Sequence, residues 1–210
     1  MTDISINYLE DSPFSHKDVV ELIHLAFKER EEQGLHFSCS NISSEAYAED
    51  TRAGRTIVAF DQSSKELVGT SAIRVYDKIP RYGLFEYLAV RPEMARKGVA
   101  TKLLQASIRY CIEKGADTVV SDTATSAKSS VKFHFKNGFK LDDIVSYPMT
   151  NYLSFVFRRN CHRSPEQVRL DQKTWRLRYW GAYLRLCLLY KKNGEPALCS
   201  RIYSTIKNHL

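Results

Sequence analysis

The stretch LFEYLAV (Leu84–Val90), followed by RPEMARKGVATKLL (Arg91–Leu104), decides the reading of this chain. The first seven residues are an apolar run interrupted by Glu86, and they read as a strand ending at Val90. A short polar turn follows, with Gly98 and Ala100 two residues apart, and an amphipathic helix then begins. A helix N-terminus leaves its first amides without intrahelical acceptors and carries partial positive charge. Gly98 and Ala100 keep side-chain bulk away from those amides, and Arg96 and Lys97 add two cations beside them. Leu103, Leu104 and Ile108 recur at helical spacing and are expected to face a sheet. The stretch is therefore built to receive a phosphate group on backbone amides.

The common phosphate loops do not fit. No Lys-Ser or Lys-Thr closes a six-residue glycine frame, which excludes a P-loop, and there is no Gly-x-Gly-x-x-Gly. The plainer alternative is an ordinary strand-to-helix turn with a surface Arg-Lys pair.

Outside this stretch the pattern alternates between strands and helices. Ile4 to Leu9 alternates as a first strand. Ser15 is placed to cap a helix running through Gln33, with Val19, Leu22, Ile23, Ala26 and Phe27 on one face and Gly34 as its stop. The polar run LHFSCSNISSEAYAED leads into a second, short helix. Arg55 to Phe60 and Leu67 to Tyr76 form a hairpin around DQSSK. The helix after the turn is expected over Thr101 to Lys114, a fifth strand over Thr118 to Asp122, and a helix over Ser129 to Lys136 with Gly138 just beyond it. Phe139 to Ser146 and Asn151 to Arg158 read as a last hairpin.

The frame Ala95-Arg96-Lys97-Gly98-Val99-Ala100 resembles the central motif of the GNAT N-acetyltransferase superfamily, Gln/Arg-x-x-Gly-x-Gly/Ala, which follows a strand and opens a helix. Ala95 departs from it, standing where Gln or Arg is usual. The stretch SAKSSVKFHFKNGFK is similar to the helix of that family that ends in Tyr-x-x-x-Gly-Phe. Gly138 and Phe139 match, His134 takes the tyrosine position, and Ala127 takes that of a frequent Asn. The motifs together span roughly Thr56 to Phe157.

The resemblance implies an α/β (α+β) fold: a GNAT-like mixed central sheet flanked by helices on both faces, here with a C-terminal helical extension. It implies acetyl-CoA as cosubstrate and no metal. The pyrophosphate is expected on Arg96, Lys97, Gly98, Val99, Ala100 and Thr101. The pantetheine arm is expected to pair with the backbone of Leu88, Ala89 and Val90, as an added strand would.

Acyl transfer to an amine needs a base, an amide to hold the oxyanion, and a proton for the departing thiolate. Glu86, a carboxylate in an apolar strand, is the candidate base, acting through a water. The alternatives for it are a solvated surface residue or a partner for an arginine. His134 stands where the family's tyrosine donates a proton to the sulfur, and an imidazole titrates near neutrality. Its alternative is packing between Phe133 and Phe135. Tyr87 and Tyr147 are substitutes. No cysteine is placed as a nucleophile, and the remaining histidines show no metal-ligand spacing. The segments HFSCSNISSE and SYPMTNY are expected to shape the acceptor pocket through His36, Phe37, Asn41, Tyr147 and Asn151. Those aromatic and neutral groups suit a small polar amine, unless they are simply polar loops.

A chain of 210 residues that is 43% hydrophobic buries a substantial core. Five dispersed cysteines without a Cys-x-x-Cys pair argue against a disulfide scaffold and a zinc site. The first residues show no basic-then-apolar leader pattern, and no apolar run approaches the ~18 residues of a membrane span. The expected location is cytoplasmic.

Residues 151–210 carry twelve Lys and Arg against three Asp and Glu, whereas residues 1–150 carry 19 against 21. The basic character is therefore local, and the chain is expected to divide into an acetyltransferase domain, 1–160, and a basic amphipathic extension, 161–210. Ser164-Pro165-Glu166 starts a helix that is expected to reach Lys192 and stop at Asn193-Gly194, with a second helix over Pro196 to Asn208. Leu177, Trp180, Leu184 and Leu188 form an apolar stripe flanked by Arg169, Lys173, Arg176, Arg178 and Arg185. The expectation is that this stripe docks on the domain or on a second copy of the chain. An anionic membrane surface, or an acidic or phosphorylated acceptor, are the alternative partners. No recognised module points to nucleic acid. The function expected is acetyl transfer to the primary amine of a small polar molecule, directly and through a tetrahedral intermediate. The competing readings are a non-catalytic acyl-CoA-binding module and a protein N-acetyltransferase.

Overall fold

The computed structural model describes residues 3–77 and 80–190. The elements run β1 (Ile4–Tyr8), α1 (His16–Glu32), α2 (Ser44–Thr51), β2 (Arg55–Asp61), β3 (Leu67–Tyr76), β4 (Tyr82–Val90), α3 (Val99–Glu113), β5 (Thr118–Ala124), α4 (Lys128–Lys136), β6 (Lys140–Ser146), β7 (Leu153–Asn160) and α5 (Pro165–Leu189). The strand order is β1-β2-β3-β4-β5-β7-β6. β1 to β4 pair antiparallel, β4 and β5 parallel, and β6 and β7 antiparallel, so the sheet is mixed, as expected.

Local chemistry sets most boundaries. Ser15 caps α1 through a capping box: its hydroxyl accepts the Asp18 N–H, and the Asp18 carboxylate accepts the Ser15 N–H at 2.7 Å. Gly34 stops α1 at φ +85. Ser43 caps α2 by accepting the Ala46 N–H at 3.1 Å. The turn between β2 and β3 closes on Asp61, whose carboxylate accepts the Ser63 N–H at 2.9 Å.

The chain divides into two compact units. Among the described residues, the first holds 3–77, 80–121, 149–151 and 159–162; the second holds 122–148, 152–158 and 163–190. In the first unit, α1 buries Val19, Val20, Leu22 and Ile23 against a face that includes Val58, Leu67 and Ala89. The neighbouring residue Ile57 faces the other way, toward Ala106 of α3. Helices therefore cover both faces of this part of the sheet. Helix α3 comes close to β3 at Gly69, where a Cβ would stand 2.7 Å from Val99 Cγ1.

In the second unit Val131 and Phe135 of α4, Ile144 of β6, Phe155 and Phe157 of β7, and Phe139 are buried. Helix α5 begins with a Ser164–Gln167 capping box and Pro165 at its first position. It buries Tyr179, Ala182 and Leu189. Of the two docking partners expected for the Leu177, Trp180, Leu184 and Leu188 stripe, the domain itself is not the one that these residues meet. The stripe faces outward: Leu177 is 76% exposed, Trp180 68%, Leu184 62% and Leu188 53%. Tyr179, Ala182, Tyr183, Leu186 and Leu189 form a second stripe at valid helical spacing, and that one is used. α5 closes at Leu189, with Tyr190 in extended backbone. Lys192, the stop at Asn193-Gly194 and the second helix over Pro196 to Asn208 lie outside the described residues. Among the described residues, no helix is long and apolar enough to cross a membrane.

Candidate active site

Two chain segments make the cradle expected for a phosphate ligand. β4 pairs with β5 only from Tyr82 to Leu84, opposite Thr118 to Val120. Among the described residues no such pairing continues beyond Leu84, so the β5-side edge of Phe85 to Val90 is left for another extended partner. At the end of β4 the chain makes a short 3-10 turn, Pro92–Met94, and then places Arg96 at φ +64 and Gly98 at φ +83. Arg96 and Gly98 are left-handed on either side of Lys97, whose N–H bonds the Met94 carbonyl at 3.3 Å. The first helical hydrogen bond of α3 runs from the Lys102 N–H to the Gly98 carbonyl at 3.1 Å. The amides of Val99, Ala100 and Thr101 precede it and have no intrahelical acceptor. A Cβ built on Gly98 would meet nothing within 4 Å, so the approach is open. Arg96 and Lys97 are exposed beside it. These residues fit a pyrophosphate.

β4 carries a bulge at the centre of this region. Thr70 pairs with Ala89 and Ala72 with Glu86, so Ser71 faces both Tyr87 and Leu88. Tyr87 absorbs the extra residue at φ +52, a left-handed conformation that is uncommon for a bulky side chain. Its conformation is held from α2 and the core: the Tyr87 hydroxyl donates to Asp50 Oδ2 at 2.8 Å, and its ring meets Tyr47 edge-on at 5.0 Å. Burial, together with the Asp50 carboxylate, pushes the Tyr87 phenol up from its ordinary value, which unsuits it to base work.

Glu86 sits beside this bulge. Arg74 Nη2 donates to Glu86 Oε2 at 3.0 Å, while Arg74 Nη1 donates to the Asp50 carbonyl at 3.1 Å and lies 3.7 Å from Asp50 Oδ1. Arg74 pairs with Leu84 across the ladder, so Glu86 is its diagonal neighbour on the same face. The pair is partly open, with the side chains 22% and 30% exposed. Glu86 is thus both a partner for an arginine and accessible to water.

His134 has a different setting. It is 2% exposed, stacks on Phe157 at 4.6 Å and meets Phe139 edge-on at 5.0 Å. Its Nδ1 lies 2.8 Å from the Ser130 carbonyl. A carbonyl only accepts, so Nδ1 carries the proton, and in the neutral ring Nε2 does not. Burial lowers the His134 pKa to about 4, against the hydrogen bond to Ser130. The expected proton donor is therefore a neutral imidazole near pH 7 with its proton committed to a backbone carbonyl.

The motif around His134 has a structural explanation of its own. Gly138 follows α4 at φ +84. The Phe139 N–H bonds the His134 carbonyl at 3.0 Å and the Gly138 N–H bonds that of Phe135 at 3.3 Å. That is a Schellman stop, and the packing of Phe139 on His134 is its usual apolar contact. The spacing aromatic-x-x-x-Gly-Phe is satisfied here by helix termination.

Of the expected acceptor residues, three come together in the first unit. Asn151 Oδ1 accepts the His36 N–H at 3.0 Å, and Asn151 Nδ2 donates to the Gly34 carbonyl at 2.8 Å. Phe37 packs edge-on against Phe27 at 4.9 Å. The Asn151 carboxamide is thus engaged with loop backbone. Asn41 is exposed in the same loop, and Tyr147 is exposed in the second unit. Asp50 and Arg74 are not among the residues expected from sequence. Arg74, one charge in an apolar strand of sign opposite to Glu86, was the available signal. Among the described residues, no group of three His, Cys, Asp or Glu could hold a metal ion.

The fold is shared with solved acetyltransferases. A GNAT-family acetyltransferase from Staphylococcus aureus Mu50 is 17% identical, with a TM-score of 0.59 over 76% of this chain and 99% of that one. One from Elizabethkingia anophelis with acetyl-CoA bound is 18% identical, with a TM-score of 0.55 over 75% and 97%. The NatC complex bound to Gag peptide and CoA contains a chain 16% identical, with a TM-score of 0.60 over 75% and 98%. No curated protein matches the chain. The family model described as Acetyltransferase (GNAT) family matches residues 17–139. That range opens on α1, contains the bulged strand and the phosphate turn, and closes on the Schellman phenylalanine; the chain belongs to the GNAT family of acetyltransferases.

Proposed function

We propose that this protein is an acetyl-CoA-dependent N-acetyltransferase acting on the primary amine of a small polar molecule. Enzymes of this family use acetyl-CoA as cosubstrate, and when bound it supplies the acyl thioester. The observation that carries the reading is the junction of an open β4 edge, a strained bulge and free α3 amides in one short segment. The amides of Val99, Ala100 and Thr101, with Arg96 and Lys97, hold the pyrophosphate. The backbone of Leu88, Ala89 and Val90 orients the pantetheine arm, and a fixed amide there serves the developing oxyanion. Glu86 takes the proton from the incoming ammonium through a water. The amine nitrogen then attacks the thioester carbonyl to form the C–N bond of a tetrahedral intermediate; as this collapses the C–S bond breaks, and the proton that the nitrogen sheds passes through water to the departing thiolate, with no acyl-enzyme. His36, Phe37 and Asn151 shape the acceptor side, and His134 serves packing rather than proton transfer.

The test is thiol release from acetyl-CoA across a panel of small amines and N-terminal peptides. Amine-dependent release that collapses in Glu86→Gln is the expected result. Coenzyme A binding without release for any acceptor would make the chain a binding module. Release with peptides alone would make it a protein acetyltransferase.

A further inference from the structure

We infer that the outward face of α5 is a docking surface for an anionic lipid bilayer. Leu170, Leu177, Trp180, Leu184 and Leu188 are each more than half exposed on one side of this helix. Exposed apolar groups scattered singly need no explanation, but a continuous row of them marks an interaction surface. Leu188 lies eleven positions after Leu177, or about 16 Å along the helix. The opposite side is already committed to the second unit through Tyr179, Ala182 and Leu189.

Charge selects the partner. The described part of the second unit holds eleven Lys and Arg against five Asp and Glu. Four of those five carboxylates are in ion pairs: Asp142 with Arg158, Asp143 with Arg185, Glu166 with Arg169, and Asp171 with Arg163 and Arg178. The surplus is cationic and borders the apolar row. Lys173 and Arg176 are exposed one turn before Leu177 and Trp180. Leucines and a tryptophan rimmed by lysine and arginine, with little acid near them, are the complement of an acyl-chain boundary beneath anionic headgroups. A second copy of the same face would bring Lys173 and Arg176 against like charges.

The test uses the full chain with vesicles of phosphatidylcholine alone and with about one-third phosphatidylserine. The protein is expected to sediment with the anionic vesicles only, and less well as salt is raised. Removing two cations in Lys173→Ala/Arg176→Ala is expected to lower partitioning about thirtyfold. Trp180→Ser/Leu184→Ser is expected to abolish it, with acetyl-CoA binding unchanged. In Trp175→Phe protein, the emission of Trp180 should shift to the blue on anionic vesicles. The proposal is overturned by equal partitioning onto neutral vesicles, by variants that bind as well as the parent, or by Trp180 shielded from iodide in the free protein. A dimer in light scattering that Leu177→Ser/Leu184→Ser converts to monomer, without vesicle binding, would assign the face to a second copy instead.

Discussion

Glu86 on β4 and His134 on α4 are the two side chains expected from sequence to move protons, and their surroundings are opposite. Glu86 shares a half-open cluster with Arg74, Asp50 and Tyr87, beside a backbone bulge. His134 is enclosed by Phe133, Phe139 and Phe157 with its proton on a backbone carbonyl. The difference teaches that a titratable group at a motif position is available for chemistry only where water and substrate reach it. Burial holds the other one neutral and turns it into a core residue.

The largest expected effect separates the two residues by rate. Glu86→Gln should lower kcat by about 10²- to 10⁴-fold, with unfolding free energy changed by less than about 1 kcal/mol because its ion pair is part-exposed. His134→Phe should keep kcat within a few-fold, and a loss matching that of Glu86→Gln would restore His134 to the catalytic machinery. Next comes stability. His134→Ala should cost about 3 kcal/mol in urea unfolding, since it opens a cavity among aromatic rings.

The same contrast has a pH signature. The folded-state pKa of His134, about 4, lies below its ordinary 6.5. The unfolded chain therefore binds the extra proton first, so this contribution is full above pH 6.5 and is lost as pH falls toward 4. It is worth roughly 3 kcal/mol over that window, and His134→Phe should flatten this part of the stability–pH curve. A smaller effect is expected at the bulge. Tyr87→Phe and Asp50→Asn should each lower kcat less than tenfold and cost about 1–2 kcal/mol, with non-additive effects in the double variant because both break one hydrogen bond. Smallest of all, Arg96→Ala should raise KM for acetyl-CoA a few-fold, since an exposed cation adds less than about 1 kcal/mol beside amides that remain.

Features set by neighbours along the chain are legible in the amino-acid sequence. Ser15, Gly34, Gly98, Gly138 and the Ser164-Pro165 start act within one helical turn, and each stands where its residue type demands. The sequence of strands and helices along the chain follows from apolar runs and the turns between them. Two features are not legible, for physical reasons. The left-handed Tyr87 arises because β3 pairs with β4 one residue out of step, and a register is a property of two strands. The face that α5 buries within its own unit is not readable from sequence, because the helix carries two apolar stripes of valid period. Leucines and a tryptophan make the stronger-looking one. The choice falls to the packing of Tyr179 and Ala182, a tertiary fact. The site follows the same division: the phosphate turn is readable, while Arg74 and Asp50, brought to Glu86 from separate elements, are not.

The chain passes between its two units five times, after residues 121, 148, 151, 158 and 162. Neither unit is therefore a contiguous piece of the gene. A cut at residue 160, where charge alone places a boundary, would leave α4, β6 and β7 behind while removing the helix that buries Tyr179, Ala182 and Leu189 in the same unit. Shuffling or grafting the basic helix onto another acetyltransferase would have to carry that hairpin with it, so the two parts are constrained to be inherited as one.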